Sequence, residues 1–334
     1  IFSEGICIQE KRLQRLKKGT ARIAFGAENF KNFQLNLQII PVGINYDKPS
    51  QFRSNLQLRF APALTLSSYQ ELFKTDENKA SYVFTRDLEK IMEQQIVHLK
   101  DKANDVFYDQ LMELNKNLNI DNPYLDTKNA NDTFWLSREI GECVNELHEK
   151  HKEDFAHLAK ATNHYFKNLN KHELKDKTVA KADKNSAFQL FFKGIFLLLL
   201  FPIHAVSLLF NYLPYKLPYL IAKKTCKHIE FLASVIIGSG AFLFLFSFLL
   251  WGIVWAALMP SLTLKLAAFL ITPTLAWFSL NYYSWLKNFN LDFLLFKEKS
   301  VQKKLMKERS DLLEMLIPQV FQKIKDRSKL RASV

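Results

Sequence analysis

Apolar and polar positions change rhythm several times along the chain of 334 residues. Leu37, Ile39, Ile40, Val42 and Ile44 lie in a nearly continuous apolar run, which predicts a strand over Leu35–Ile44 buried on both faces. Leu56, Leu58 and Phe60 alternate with Gln57 and Arg59, so Leu56–Ala61 reads as a half-covered edge strand closed by Pro62. Ile1–Ser3 is expected as a further strand. A polar connection over Gln9–Leu16 then leads to a helix over Thr20–Glu28, whose small face is Ala21, Ala24 and Ala27. From Ser67 to Asn185 the spacing becomes three and four, in Val83, Leu88, Ile91, Ile96 and Leu99 and again in Val106, Leu111, Leu114 and Leu118. Phe134, Ile140, Val144 and Leu147 continue it, followed by Phe155, Leu158, Ala161 and Tyr165. This predicts amphipathic helices, the first with a start at Thr85 or Asp87, interrupted at Asn122-Pro123. Lys171–Lys184 reads as a basic linker.

From Ala187 the chain turns apolar. Gly194–Tyr215 carries no Asp, Glu, Lys or Arg but holds Pro202, His204, Asn211 and Pro214, which suit a re-entrant or interfacial segment. Phe231–Leu264 and Leu266–Leu286 are long enough for two spans, with Pro260 and Lys265 in the turn. Phe242–Phe246 is apolar all round rather than along one stripe, which argues for lipid rather than a soluble core. Lys223, Lys224 and Lys227 precede the first span and Lys287, Lys297 and Lys299 follow the second, so both outer ends are expected in the cytoplasm. Ser300–Lys329 reads as one amphipathic helix on Leu305, Leu312, Leu313, Leu316 and Val320. The expected organisation is therefore 1–66 an α/β segment, 67–186 a charged helical region and 187–225 a re-entrant or interfacial segment. A transmembrane hairpin over 226–290 and an amphipathic helix within 291–334 complete it.

A net charge of +13 calls for an anionic partner. The apolar runs favour phospholipid headgroups, and no zinc finger, arginine-rich tail or RNP-type strand supports nucleic acid. Cys7, Cys143 and Cys226 are widely spaced, at no metal-ligand spacing, and read as reduced thiols. His148 and His151 could share a helix face, but in a run of solvated charge they read as solvent-facing, with no metal site.

The candidate chemistry lies at the start. Ile1-Phe2-Ser3-Glu4-Gly5 delivers a carboxylate to a tight turn, and Leu16-Lys17-Lys18-Gly19-Thr20 sets two cations at a helix entrance. Together they could hold a phosphate and its neighbouring hydroxyls. The order of these parts resembles the glycerolipid acyltransferases, the superfamily that acylates glycerol 3-phosphate and 1-acyl-glycerol 3-phosphate. Phe2, Glu4 and Gly5 match its Phe-Pro-Glu-Gly motif; Leu16, Lys17, Gly19 and Ala21–Ala24 match its basic and Ala-rich stretch. Pro41 sits in its Val-Pro-Val-like strand, and Asn45-Tyr46, Pro49 and Phe52-Arg53-Ser54 are similar to its membrane-bound glycerol 3-phosphate members. Ser3 replaces the usual proline and Ile6-Cys7-Ile8 a polar triplet.

The resemblance, over residues 1–66, implies an acyltransferase sheet-and-helix domain. It implies transfer of a fatty acyl group from an acyl thioester, on coenzyme A or acyl carrier protein, to glycerol 3-phosphate or lysophosphatidate in phospholipid synthesis. Glu4, Gly5, Lys17, Lys18 and Gly19 would take the acceptor and its phosphate, while Pro41 and Val42 would shape the acyl pocket. The family's catalytic His-x4-Asp occurs nowhere in the sequence, so the chain is expected to be the C-terminal part of a longer protein, inactive alone and without a resident cofactor. The alternative is a non-catalytic membrane scaffold with a decayed acyltransferase segment.

Overall fold

A computed structural model describes residues 1–6, 8–49, 54–118, 122–126, 128–184 and 186–333. It is mostly helical, with one small sheet and three helices long and apolar enough to cross a membrane. The chain divides into two compact units, Ile1–Asn163 with Leu313–Val334, and His164–Leu312.

In the first unit, α1 (Gly19–Phe30) buries Ala21, Ala24 and Phe25 against α2 (Gln70–Thr75) and α3 (Glu77–Glu93). Phe25 is the centre of this core, stacked on Phe73 at 4.8 Å and edge-on to Phe84 at 6.0 Å. The side chain of Asp76 caps α3 by accepting from the Lys79 N–H at 2.9 Å, so Thr85 and Asp87 lie inside the helix instead of starting it. Helices α4 (Asn104–Asn117) and α5 (Ala130–Lys150) bury Leu111, Leu114, Ile140, Val144 and Leu147, as the spacing of apolar residues predicts, but Phe107 is buried in place of Val106, which is exposed. α6 (Lys152–Lys171) follows, and the division between units falls within it. His151, His157 and His164 are exposed, while His148 stacks on Phe155 at 4.6 Å.

The sheet departs most from expectation. Ile1–Ser3 is not a strand: Ile1 and Phe2 are exposed, and the Ser3 carbonyl accepts from the Lys17 N–H rather than from a neighbouring strand. Among the described residues only Val42–Tyr46 (β1) and Leu56–Phe60 (β2) are regular strands, paired antiparallel as Val42–Phe60, Gly43–Arg59, Ile44–Leu58, Asn45–Gln57 and Tyr46–Leu56. Upstream of Pro41, Ile39 makes a single bridge to Leu64. The expected α/β segment thus reduces to one two-stranded sheet. Its orientation is inverted. Ile44, Leu56, Leu58 and Phe60 face outward, with Leu58 49 % and Phe60 65 % exposed. The polar face is the docked one. Asn45 donates to the Gln95 carbonyl (2.9 Å) and accepts from the Val97 N–H (3.0 Å). Gln57 donates to the Ala130 carbonyl, Arg59 to Asn131, and the Arg59 guanidinium lies 4.2 Å from the centre of the Phe134 ring. Gly43 lets the strand backbone approach Gln95 closely.

The tail is not one helix. Pro318 has no N–H to continue the ladder, and a π-type turn over Ile317–Phe321 separates α11 (Lys299–Leu316) from α12 (Gln322–Ala332). Within the first unit α12 packs on α5: Arg327 bridges Glu139 and Glu146 at 2.9 Å each, and Arg331 meets Asp132 at 2.9 Å.

In the second unit, the expected linker is folded. Leu174, Val179 and Ala182 are buried around α7 (Asp176–Ala180), and Asp176, fully buried, accepts from Tyr165 Oη and Arg309 Nε at 2.8 Å each. Residues 187–225, expected as re-entrant or interfacial, form a single 39-residue helix, α8 (Ala187–Thr225), with Pro202, Pro214 and Pro218 inside it. A capping box of Ser186 and Gln189 starts it. α9 (Ile229–Leu258) and α10 (Leu262–Lys297) follow, and Lys265 falls within α10 rather than in the turn. No residue of α9 is buried, as befits a helix solvated by lipid. The first part of α8 runs antiparallel to the last part of α10, through Lys193–Asp292 (3.0 Å), Tyr282 Oη to the Leu197 carbonyl (3.0 Å) and Ser207 Oγ to the Leu275 carbonyl (2.6 Å). Trp251 and Trp255 pack on Phe210 of α8.

Candidate functional site

The turn at residues 2–5 closes by the Gly5 N–H to the Phe2 carbonyl at 3.1 Å, with Gly5 at φ 66°, a conformation that suits glycine. Two bonds fasten this turn to the start of α1: the Lys17 N–H donates to the Ser3 carbonyl at 2.8 Å, and Ser3 Oγ lies 2.8 Å from Thr20 Oγ1. The aliphatic stem of Lys17 lies across Gly5 so closely that a Cβ there would come within 2.9 Å of its Cδ and Nζ. Glu4 accepts from the Gln14 N–H at 3.0 Å, which aligns the carboxylate along the incoming loop. Leu16 anchors that loop in the Phe25 core, and Arg86 donates to the Leu16 carbonyl at 3.3 Å. Upstream, Arg12 pairs with Asp105 at 2.6 Å and Lys11 with Asp109 at 2.9 Å, so the polar connection over 9–16 is pinned along its length.

Glu4, Gly5, Lys17, Lys18 and Gly19 therefore meet around one helix N-terminus. Lys18 occupies the N-cap position and no side chain caps the helix, so its first amide N–H groups have no side-chain acceptor. Lys17 and Gly19 are exposed, and the Lys18 ammonium sits 5.5 Å from the centre of the Tyr82 ring. This arrangement can bind an anion of phosphate size, with Glu4 alongside as an acceptor for a hydroxyl.

Pro41 and Val42 are not brought to this cluster. Pro41 is buried at the entry to β1, its carbonyl accepting from the Ala61 N–H at 2.9 Å, and Val42 pairs with Phe60. Among the described residues no hydrogen bond joins either to residues 3–20, and no group of three or more His, Cys, Asp or Glu could hold a metal ion. Cys7 and Phe52-Arg53 lie outside the described residues. Sequence reading passed over two buried polar clusters, Asp176 with Arg309 and Tyr165, and His204 with Ser279 and Tyr282. The signals were an acid in a basic run and a histidine in an apolar one.

Compared with family models, curated proteins and solved structures, the chain matches none.

Proposed function

We propose that this is a membrane-bound protein that binds a glycerol phosphate acceptor for acyl transfer. The acyl group would come from an acyl thioester and go to glycerol 3-phosphate or 1-acyl-glycerol 3-phosphate. The observation that carries the reading is the gathering of Glu4, Lys17 and Lys18 at the uncapped start of α1. In this reading the lysines and free amides hold the phosphate, and Glu4 orients a glycerol hydroxyl. The motifs over residues 1–66 support the reaction type.

The tested outcome is binding. Glycerol 3-phosphate titrated into the full chain in lipid nanodiscs should bind, and Lys17→Ala should weaken it about tenfold, the loss of one charge-assisted contact. Absence of binding, or binding indifferent to Lys17, sinks the reading. Acyl-transfer assays on the protein in its native membranes then decide between the two acceptors. The outward apolar face of the β1–β2 sheet favours a second reading, an interaction scaffold, and that reading predicts no such binding.

Charge distribution supports the membrane assignment. Residues 164–312 hold 19 Lys and Arg against 8 Asp and Glu, most of the +13 excess. Cations there gain roughly 1 kcal/mol each near an anionic leaflet. Within the first unit α12 is fastened to α5, so in this reading the chain leaves and returns on one side and an even number of α8, α9 and α10 cross. Lysines at both outer ends of the α9–α10 pair, with only Lys265 between, support that pair as the crossing one, with its ends in the cytoplasm.

Two cysteines test this arrangement together. A membrane-impermeant maleimide applied to sealed vesicles, with modified peptides mapped by mass spectrometry, should label half-buried Cys226 from the cytoplasmic side only. Cys143 should stay unmodified at neutral pH, because burial raises its thiol to about 11 and the reactive thiolate forms only as pH approaches that value. Labelling of Cys226 from the opposite side would make α8 a crossing helix and overturn the choice of α9 and α10 as the pair.

A further inference from the structure

His204 is an ionisable residue in an apolar helix, and such residues persist where they have a task. It is buried at the contact of α8 and α10, with Nδ1 2.8 Å from Ser279 Oγ. Its ring stacks on Tyr282 at 4.3 Å and 23°. Tyr282, one turn beyond Ser279 on the same helix, is itself held by its hydroxyl on the Leu197 carbonyl. A turn further along, Ser207 fastens the two helices through the Leu275 carbonyl, so the helix pair does not depend on the His204–Ser279 bond to stay in register. Ser279 is half-exposed while His204 is buried. A hydroxyl open to its surroundings, a base within hydrogen-bond reach and a group that fixes the base ring are the three parts of an activated nucleophile.

We infer that Ser279 is a nucleophile activated by His204 and that it accepts an acyl group from a lipid ester or thioester. The surroundings choose the substrate class: the site lies between helices whose other exposed side chains, such as Leu198, Phe201 and Trp277, are apolar, so an acyl chain can lie against it. In the acylation step Ser279 Oγ bonds to the carbonyl carbon while its proton passes to His204 Nδ1, which requires the ring to carry its own proton on Nε2. The carbon–sulfur or carbon–oxygen bond of the donor breaks, and the departing thiolate or alkoxide takes the proton back from His204. Water then adds to the acyl carbon, giving its proton to the same nitrogen, and a fatty acid leaves as Ser279 is reprotonated. The stacked Tyr282 keeps Nδ1 aimed at the hydroxyl and acts as a positioning residue.

The inference stands apart from the acceptor site at α1. The test incubates the full chain in lipid nanodiscs with a long-chain acyl thioester and maps acylated peptides by mass spectrometry. An ester stable to neutral hydroxylamine on Ser279 is expected, whereas acylation of a cysteine such as Cys226 would be cleaved. His204→Gln keeps a hydrogen-bonding partner for Ser279 but removes the base, and should cut the adduct at least tenfold. Tyr282→Phe keeps the stacking ring and should retain most of it. Lys17→Ala should leave it unchanged, which separates failure here from failure of the acceptor site. No adduct on Ser279, or an adduct as abundant in His204→Gln as in the native protein, overturns the inference and leaves the cluster as a polar bond between helices.

Discussion

Asp176→Ala is expected to lower stability by about 3–5 kcal/mol, the cost of removing one partner from a buried ion pair. The carboxylate is fully buried and accepts from both Tyr165 and Arg309, so its loss strands a cation and a hydroxyl away from water. The pair joins α6, α7 and α11 and turns residues 172–184 from a loose tether into packed structure. Denaturant unfolding in detergent, followed by tryptophan fluorescence, measures the loss. A companion change separates pairing from packing. Asp176→Leu combined with Arg309→Met should recover much of the deficit, because two apolar side chains leave nothing unpaired. A single-variant loss below about 1 kcal/mol would mean that water reaches the pair.

Gly43→Ala should cost about 2–4 kcal/mol, in the range of severe overpacking. A Cβ at this position would fall 2.2 Å from the Gln95 carbonyl oxygen and 2.6 Å from its carbon. Those are backbone atoms at the end of α3, so relief requires moving the strand off the helix. Asn45→Ala offers a milder break of the same contact. It removes two hydrogen bonds and should cost about 1–3 kcal/mol. Hydrogen exchange read at residues 42–46 locates the damage in the sheet. A neutral Gly43→Ala would show that the strand and the helix end are not in contact in solution.

Helical periodicity was the legible part of the chain. The three-and-four spacing of Phe134, Ile140, Val144 and Leu147 marks the buried face of α5, and the long uncharged runs mark α9 and α10. The Ser3–Lys17 bond brings the turn at residues 2–5 to the start of α1, two stretches that the sequence singles out. What failed were inferences that depend on what lies opposite. Alternation in Leu56–Phe60 announces a strand but does not say which face is docked, and here Gln57 and Arg59 find partners on α5 while the leucines do not. The apolar run at 37–44 resembles a buried strand, yet Pro41 interrupts its pairing and only two strands are present among the described residues. Prolines in residues 187–225 read as helix breaks. In lipid-facing segments neighbouring helices and hydroxyl groups meet the freed backbone groups, and α8 stays continuous. Pro318 was overlooked, and with it the π-type turn that splits the tail.

The inverted sheet also bears on the order in which the protein folds. Its hydrophobic pattern, left to itself, would turn Leu56, Leu58 and Phe60 toward the rest of the chain, and a one-residue slip would achieve that. The native pairing wins only when Gln95, Val97, Ala130 and Asn131 already stand in place to receive Gly43, Asn45, Gln57 and Arg59. Local preference and final structure disagree at this hairpin, the condition called frustration. In pulsed hydrogen exchange during refolding, β1 and β2 are therefore expected to gain protection after α3 and α5.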